Sequence, residues 1–313
     1  MVEYIDTHRH RFGVGPIRTV PRAALAGGCS PPEHTGRSKP VPPAGCVLAH
    51  ETLARDIMVI HAHRFMAVYG YRKVHRRLIR RGWRGIGRDQ VLHVMRSLRI
   101  QGVRRGRNPI TTRPARSTGG RPDLVNRQFT TEAPGRLHVA DITIVTTRVR
   151  LVRVCGVRHR RVRHKDRGMA VAASRHTRTL PLVALDRSIS WTARHGRTTG
   201  PIHHSDHGTQ YISALYGTHL TPAGILASTG SVGDSYDNAL AETVNGAYKG
   251  ELIRRSKPFG SVHALEQATF PWVSWWNSQR LHESLGYRTP CEVETLYHQR
   301  QAISIAPKTN KTA

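Results

Sequence analysis

Cysteine is scarce and scattered. Four residues, Cys29, Cys46, Cys155 and Cys291, lie far apart in 313 positions, without the paired spacing of a zinc finger, a redox motif or a disulfide framework. Acids are the second shortage: 20 Asp and Glu stand against 49 Lys and Arg, a formal charge of +29. A compact chain so one-sided repels itself unless a polyanion lies against it. Nucleic acid is the natural partner, because phosphate neutralisation releases counterions and drives sequence-independent binding. The chain also lacks any run near the roughly 20 apolar residues that span a bilayer. Its start, MVEYIDTHRHRF, has no apolar signal core. These absences point to a soluble, intracellular protein with no membrane partner. Aromatics are few (6 %), as in globular material diluted by arginine-rich segments; a ribosomal or merely arginine-rich protein is the plain alternative.

In chain order, residues 19–47 are rich in Pro and Gly and read as loop or disorder. Order begins near His50, where Leu53, Ile57 and Ile60 form one helical stripe. YGYRKVHRRLIRRG follows, with Val74 and Leu78 inward and Arg72, Lys73, Arg76, Arg77, Arg80 and Arg81 largely outward, and Gly82 ending the helix. Asp89 is placed to cap a further helix, DQVLHVMRSLRI. Two short amphipathic helices with cationic outer faces read as a helix-turn-helix, with Arg72, Lys73, Arg76 and Arg77 as DNA contacts. The alternative is an ordinary basic helical hairpin with a solvated face. The stretch 102–123 is a basic linker suited to tracking phosphates while its flanking domains move freely.

Three acids then stand out. Asp141 lies in the alternating, β-branched run RLHVADITIV, which reads as a strand. Asp206 ends the short strand of PIHHSDHG, where a breaker follows. With thirty-five residues between, Glu242 lies on a helix that Asp234 or Ser235 would cap. On that helix Asn238, Glu242, Asn245 and Lys249 form one polar stripe, and Leu240, Val244 and Tyr248 the core-facing one. QYISALYGTHLTPAG reads as a helix and ILAST as a strand. Three acids on two strands and a helix suit an all-oxygen divalent-metal site working on phosphate. His203 and His204 are better read as structural than as ligands. The run 261–285 reads as a helix anchored by Leu265, Trp272, Val273 and Trp276.

The stretches YGYRKVHRRL, LVNRQFT with APGRLHVADITIV, IHHSDHGTQYIS, GSVGDSYDNALAETVNGAYKGELI and WWNSQRLHESLGYRTP resemble the second-frame (OrfB-type) product of bacterial insertion-sequence transposases, a branch of the retroviral-integrase superfamily. The resemblance covers roughly 48–145 and 170–297. It implies an α/β, RNase H-like catalytic core, a mixed sheet flanked by helices, behind an all-α helix-turn-helix domain. The domains expected are a poorly ordered 1–47, a helix-turn-helix at 48–107, a linker at 108–133, the core at 134–255, a helical extension at 256–300 and a disordered tail at 301–313. The resemblance implies a DDE polynucleotidyl transferase whose catalytic, metal-holding triad is Asp141, Asp206 and Glu242, with two Mg²⁺ or Mn²⁺ ions. Water would free a 3′-OH at the element's end and that hydroxyl would attack a second phosphodiester. Lys249 would hold DNA phosphate, with Asn245 and Arg280 also on DNA; Asn277 and Arg280 could equally belong to helix packing. The implied partners are element-end and target DNA, an upstream-frame (OrfA-type) product, and further copies of the chain on DNA, in the bacterial cytoplasm at the nucleoid.

One stretch departs from the family. Nine Lys or Arg fall in the 21 positions from Arg148 to Gly168, where two apolar strands are expected, and unpaired buried charge costs several kcal/mol. The expectation is that 148–168, and 19–47 with it, are read out of frame between compensating indels; the rival is a basic hairpin lying on DNA. His138 stands where the family usually has Trp, and Pro271 falls inside the C-terminal helix. A catalytically inactive DNA-binding remnant is therefore the alternative to a working transposase, and a metal nuclease without strand transfer the third reading.

Overall fold

The computed structural model describes residues 46–103, 121–126, 133–148, 151–160, 165–174, 176, 178, 180–195, 200–206, 208–230 and 239–305. Contacts divide the chain into Met1–Thr52 and Leu53–Ala313; of the first, only 46–52, the start of helix α1, are described. The expectations for 19–45, for the caps Asp234 and Ser235, for Asn238 and for 306–313 fall outside the described residues.

Three helices come first: α1 (Cys46–Ala62), α2 (Tyr71–Arg80) and α3 (Arg88–Ser97). The buried stripes Leu53, Ile57 and Ile60 and Val74 and Leu78 are those the periodicity marks; on α3 the periodicity marks Val91, Leu92, Met95 and Leu98, whereas Val91, Val94 and Met95 are the buried ones and Leu92 and Leu98 are half-buried. Gly82 (φ +99°) and Gly85 (φ +70°) turn the chain between α2 and α3, a backbone region that costs other residues strain. His75 Nε2 lies 2.9 Å from the carbonyl of Ile86, and Trp83 Nε1 donates to Asp56 Oδ2 at 2.6 Å, so the turn is tied to α2 and to α1. Asp89 is not the expected cap. Gly87 holds that position, without a side-chain cap bond, and Asp89 lies in the first turn.

The sheet has five strands, β1 (Leu137–Thr146), β2 (Leu151–Arg160), β3 (Asp166–Ala172), β4 (Ile202–Ser205) and β5 (Leu226–Thr229), in the order β3-β2-β1-β4-β5. The first three run as an antiparallel meander, and β4 and β5 are parallel to β1. That mixed topology, with helices on both faces, is RNase H-like. On one face lie α4 (Pro181–His195) and α6 (Ala214–Leu220), preceded by the short α5 (Thr209–Ile212). Their core joins Ala140, Ala170, Leu182, Leu185, Tyr216 and Leu220. The expected single helix over 210–224 is thus broken at Ser213, whose hydroxyl accepts from the Tyr216 N–H and starts α6. On the other face lie α7 (Ala239–Tyr248), α8 (Val262–Ser278) and α9 (Pro290–Ile305). The helix α9 takes in 301–305, which the sequence assigns to the tail.

The arginine-rich stretch is where the expectation and the fold part. It forms β2 and the start of β3, each rung in pairing with β1 or its neighbour apart from a shift at Val157/Arg158. Strand side chains alternate, and among the described side chains of β2 Val152, Val154 and Gly156 are buried. Three apolar or small residues at every second position suffice for the face turned to α7 and α8. Lys165, one of the nine cations, is neutralised by Glu294 at 2.6 Å and lies 4.5 Å from the Trp191 ring centroid. The stretch is paired into the sheet along β1. Gly168 must be glycine: a Cβ there would collide with the Ala184 carbonyl of α4.

A second correction concerns domain independence. The core under α7 and α8 is continuous with that of the first helices, joining Leu53, Tyr69, Val74 and Met95 to Val152, Val154, Val244, Trp272 and Trp276. Phe65 lies 5.2 Å from the Trp275 ring, and the Tyr69 hydroxyl accepts the Leu281 N–H at 2.9 Å. Part of the supposed free linker is anchored too: Arg121 donates to the Tyr211 carbonyl at 2.8 Å and its own carbonyl accepts from Thr229 Oγ1 at 2.7 Å. Residues 104–120 lie outside the described residues. No described helix is long and apolar enough to cross a membrane.

At the centre of that core Arg280 meets Glu251, its Nε 3.0 Å from both carboxylate oxygens, with its guanidinium 4.4 Å from the Trp276 centroid. Removing one partner of such a pair leaves a buried charge uncompensated. Arg280→Met should therefore cost about 3–5 kcal/mol, while the double change Glu251→Met/Arg280→Met should recover most of it, as read from denaturant midpoints. His203 supplies a pH signature. Burial holds its pKa well below the ordinary value, and His138, Arg121 and His204 push the same way, while its Nε2 meets the Tyr216 hydroxyl at 2.9 Å. The unfolded chain takes up this proton near pH 6.5 and the folded chain does not. Stability from this group is present above about pH 6.5 and falls as the pH drops below it. Thermal unfolding of His203→Gln should show a shallower loss between neutral and acid pH than the parent.

Candidate active site

Strand β1 pairs in parallel with β4 from Leu137↔Ile202 to Ala140↔Ser205. One residue beyond that last rung come Asp141 and Asp206, so two adjacent parallel strands deliver their carboxylates side by side. Asp206 thus lies at the carboxyl end of β4, where open α/β sheets carry ligands, and Asp141 midway along β1. Asp206 is exposed just past β4, and its Oδ1 accepts the Gly208 N–H at 3.0 Å. A Cβ on Gly208 would press on Asp206 Oδ1, so the glycine keeps that turn tight.

Asp141 is more firmly held. Its Oδ1 accepts the Ile142 N–H at 2.9 Å and its Oδ2 accepts from Asn245 Nδ2 at 2.6 Å. Asn245 is buried on α7, the helix that packs on β1 with Val244, Ala247 and Tyr248 inward. Tyr248 secures the helix further through a 2.7 Å bond between its hydroxyl and Thr269 Oγ1. Glu242 is exposed one turn before Asn245. After Tyr248 the helix widens into a π turn, Lys249–Ile253, which ends near the buried Glu251–Arg280 pair. Lys249 is half-buried there. Desolvation lowers its pKa first, the Asp141 charge opposes this, and Arg254 adds to the lowering. A lysine responsive to the Asp141 charge belongs to the same site.

Among the described residues, no three His, Cys, Asp or Glu side chains stand close enough together to hold one metal ion. The sheet brings Asp141 and Asp206 together; Glu242 remains on α7, a turn beyond Asn245. The donor set still fits a hard cation, since Mg²⁺ keeps several waters and binds through one or two carboxylates.

Three sequence-predicted DNA contacts change role. Asn245 orients the Asp141 carboxylate. Arg280 is buried against Glu251 and stacked on Trp276, beyond reach of a phosphate. Asn277 clamps the start of β3, its amide pairing with both the N–H and the carbonyl of Asp166 at 2.9 and 2.8 Å. His204 and His203 are structural, on Ser228 Oγ at 3.0 Å and on Tyr216. His138 is buried with its Nε2 3.1 Å from the Gly135 carbonyl. Glu251 was missed, although an acid within two residues of Lys249 and just before Leu252 was the available signal.

A model of the integrase core domain matches residues 223–290, which hold Glu242, Asn245, Lys249 and the Glu251–Arg280 pair. Over 302 residues the chain is 38 % identical to the transposase for insertion sequence element IS629 of Shigella sonnei, covering 95 % of this chain and 97 % of that one. The chain belongs to the insertion-sequence transposase family. It is also 40 % identical over 253 residues to a putative transposase for element IS986/IS6110 of Mycobacterium tuberculosis, covering 80 % and 89 % of the two chains. Among solved structures it is similar to the HTLV-2 integrase catalytic core domain in complex with magnesium, at 13 % identity and a TM-score of 0.39, over 52 % of this chain and 98 % of that one.

The coupling of Lys249 to Asp141 is open to direct test. In competitive amine labelling across a pH series, Lys249 should titrate below the exposed lysines. Asp141→Asn removes the charge that raises it, so its midpoint should fall further; an unmoved or raised midpoint would separate the two groups.

Proposed function

We propose that this family member is a transposase that cleaves element-end DNA and joins the freed 3′ end to a target, using divalent metal. The observation that carries the reading is the delivery of Asp141 and Asp206 side by side by β1 and β4, with Asn245 and Lys249 of α7 gathered on Asp141. Asp141, Asp206 and Glu242 are the catalytic acids. Bound Mg²⁺ or Mn²⁺, two ions in this reading, would supply Lewis-acid polarisation of the scissile phosphate and a nucleophile at neutral pH.

The chain's own residues do the rest. Asn245 commits one oxygen of Asp141 and so fixes which lone pairs face the cleft. Gly208 does the same for Asp206. Lys249, kept beside Asp141 by the π turn, sets a DNA phosphate against the acids as a point charge. The excess of 49 cations over 20 acids draws both the element end and the target. The helix-turn-helix segment (48–107) binds DNA ahead of the core (134–255), in the bacterial cytoplasm, with further copies of the chain and an upstream-frame product as partners.

Purified chain, element-end duplex and Mg²⁺ or Mn²⁺ provide the test. Nicking at the element end and strand transfer are expected. Asp141→Asn, Asp206→Asn and Glu242→Gln should each lower both by at least about a hundredfold, about 2.7 kcal/mol of barrier, with duplex affinity retained. Binding without nicking or joining would instead establish a DNA-binding remnant, and nicking without joining a metal nuclease.

A further inference from the structure

The two helices of the N-terminal pair present cations in different states. On α2, Arg72, Arg76 and Arg80 recur at i, i+4 and i+8, one row along the helix. The C-terminal segment takes up that row. Arg72 Nη1 lies 3.6 Å from Glu283 Oε1 and the Arg76 guanidinium 5.2 Å from the Tyr287 centroid. Arg80 donates to both oxygens of Glu292 at 2.7 and 2.9 Å and to the Tyr287 carbonyl at 2.9 Å. Partial burial pushes the Glu292 carboxyl upward, but bonds from Arg80 and Thr289 outweigh it, so it sits below its ordinary range. Lys73 is turned over the Tyr69 ring at 5.2 Å. Of the four α2 residues that the sequence marks for DNA, Arg72 and Arg76 thus meet the segment 283–292, and Arg80 joins them there.

The helix α3 is different. Val91, Val94 and Met95 face the core, while Gln90, His93 and Arg96 are exposed on the other side, with Arg84, Arg88 and Arg99 exposed around its two ends. No hydrogen bond or ion pair engages these six side chains among the described residues. Asp89 is the one acid from Arg84 to Arg99. Hydrogen-bonding side chains in the middle of a helix face and arginines at its margins match the two layers of duplex recognition, base edges within and phosphates outside.

We infer that duplex DNA is bound by the exposed face of α3, with Arg84, Arg88, Arg96 and Arg99 on phosphates and Gln90 and His93 toward base edges, and that the α2 arginine row is a clasp within the chain. The inference rests on the transposase reading for the identity of the duplex, but not on its chemistry.

The full-length chain serves for the test, with element-end and scrambled duplexes titrated across a salt series. Arg88→Gln/Arg96→Gln should weaken binding to both duplexes about tenfold or more and reduce the slope of log affinity on log salt by about 2, for two phosphates no longer neutralised. Gln90→Ala/His93→Ala should keep the slope and narrow the preference for the element end. Arg72→Gln/Arg76→Gln should keep slope and preference while lowering the thermal midpoint. Circular dichroism of each variant separates lost contacts from lost fold; should the Arg88/Arg96 pair fail to fold, Arg96→Gln alone is expected to lower the slope by about 1. A slope reduced by the α2 pair and unmoved by the α3 changes would overturn the assignment. Failure of the transposase reading shows separately, as parent chain that binds duplex with this pattern yet neither nicks nor joins it.

Discussion

The parallel pairing of β1 with β4 is the constraint on which the site depends. Parallel strands cannot be joined by a tight turn, so a crossover must carry the chain back to the same edge; here β2, β3 and α4 intervene. The pairing has a chemical consequence because its register ends at Ala140↔Ser205. A slip of one residue would turn either aspartate to the opposite face. Both acids therefore owe their proximity to the rung count between two strands that 55 residues of chain separate, from Thr146 to Ile202.

The helix α7 is then aimed at Asp141 by packing rather than by local sequence. Val244, Ala247 and Tyr248 bury it against the sheet, and Asn245 reaches Asp141 at 2.6 Å from the same buried surface. Beyond Tyr248 the helix widens into the π turn, a feature common at functional sites. The buried Glu251–Arg280 pair ties that turn to the chain just after α8. Such a pair adds little net stability against an apolar substitute, and its use lies in specifying one arrangement, here that of the π turn which carries Lys249.

The same core ties the first helices to the catalytic sheet. Tyr69, Phe65 and the α2 arginines close on Trp275, Leu281 and the segment 283–292. The first helices and the sheet share one apolar interior, which holds α3 at a set distance from the strands that carry Asp141 and Asp206. The arginine-rich β2 belongs to this economy as well: Val152, Val154 and Gly156 give the core what it needs on one face.

The amino-acid sequence by itself determined the elements and their chemistry. The stripes of Leu53, Ile57 and Ile60, of Val74 and Leu78 and of Leu265, Trp272 and Trp276 mark helices because apolar side chains at a period near 3.6 have one way to be buried. The alternation through Asp141 marks β1, and Asp206 and Glu242 are recognisable as acids by type and spacing. Only the tertiary structure decided which polar residues are used within the chain and which face outward. Arg280, Asn245, Asn277, Arg72, Arg76 and Arg80 look like DNA contacts in one dimension, yet each meets a partner between 29 and 212 residues away. A side chain's charge is written in its own codon, but whether that charge is neutralised depends on what the fold sets against it.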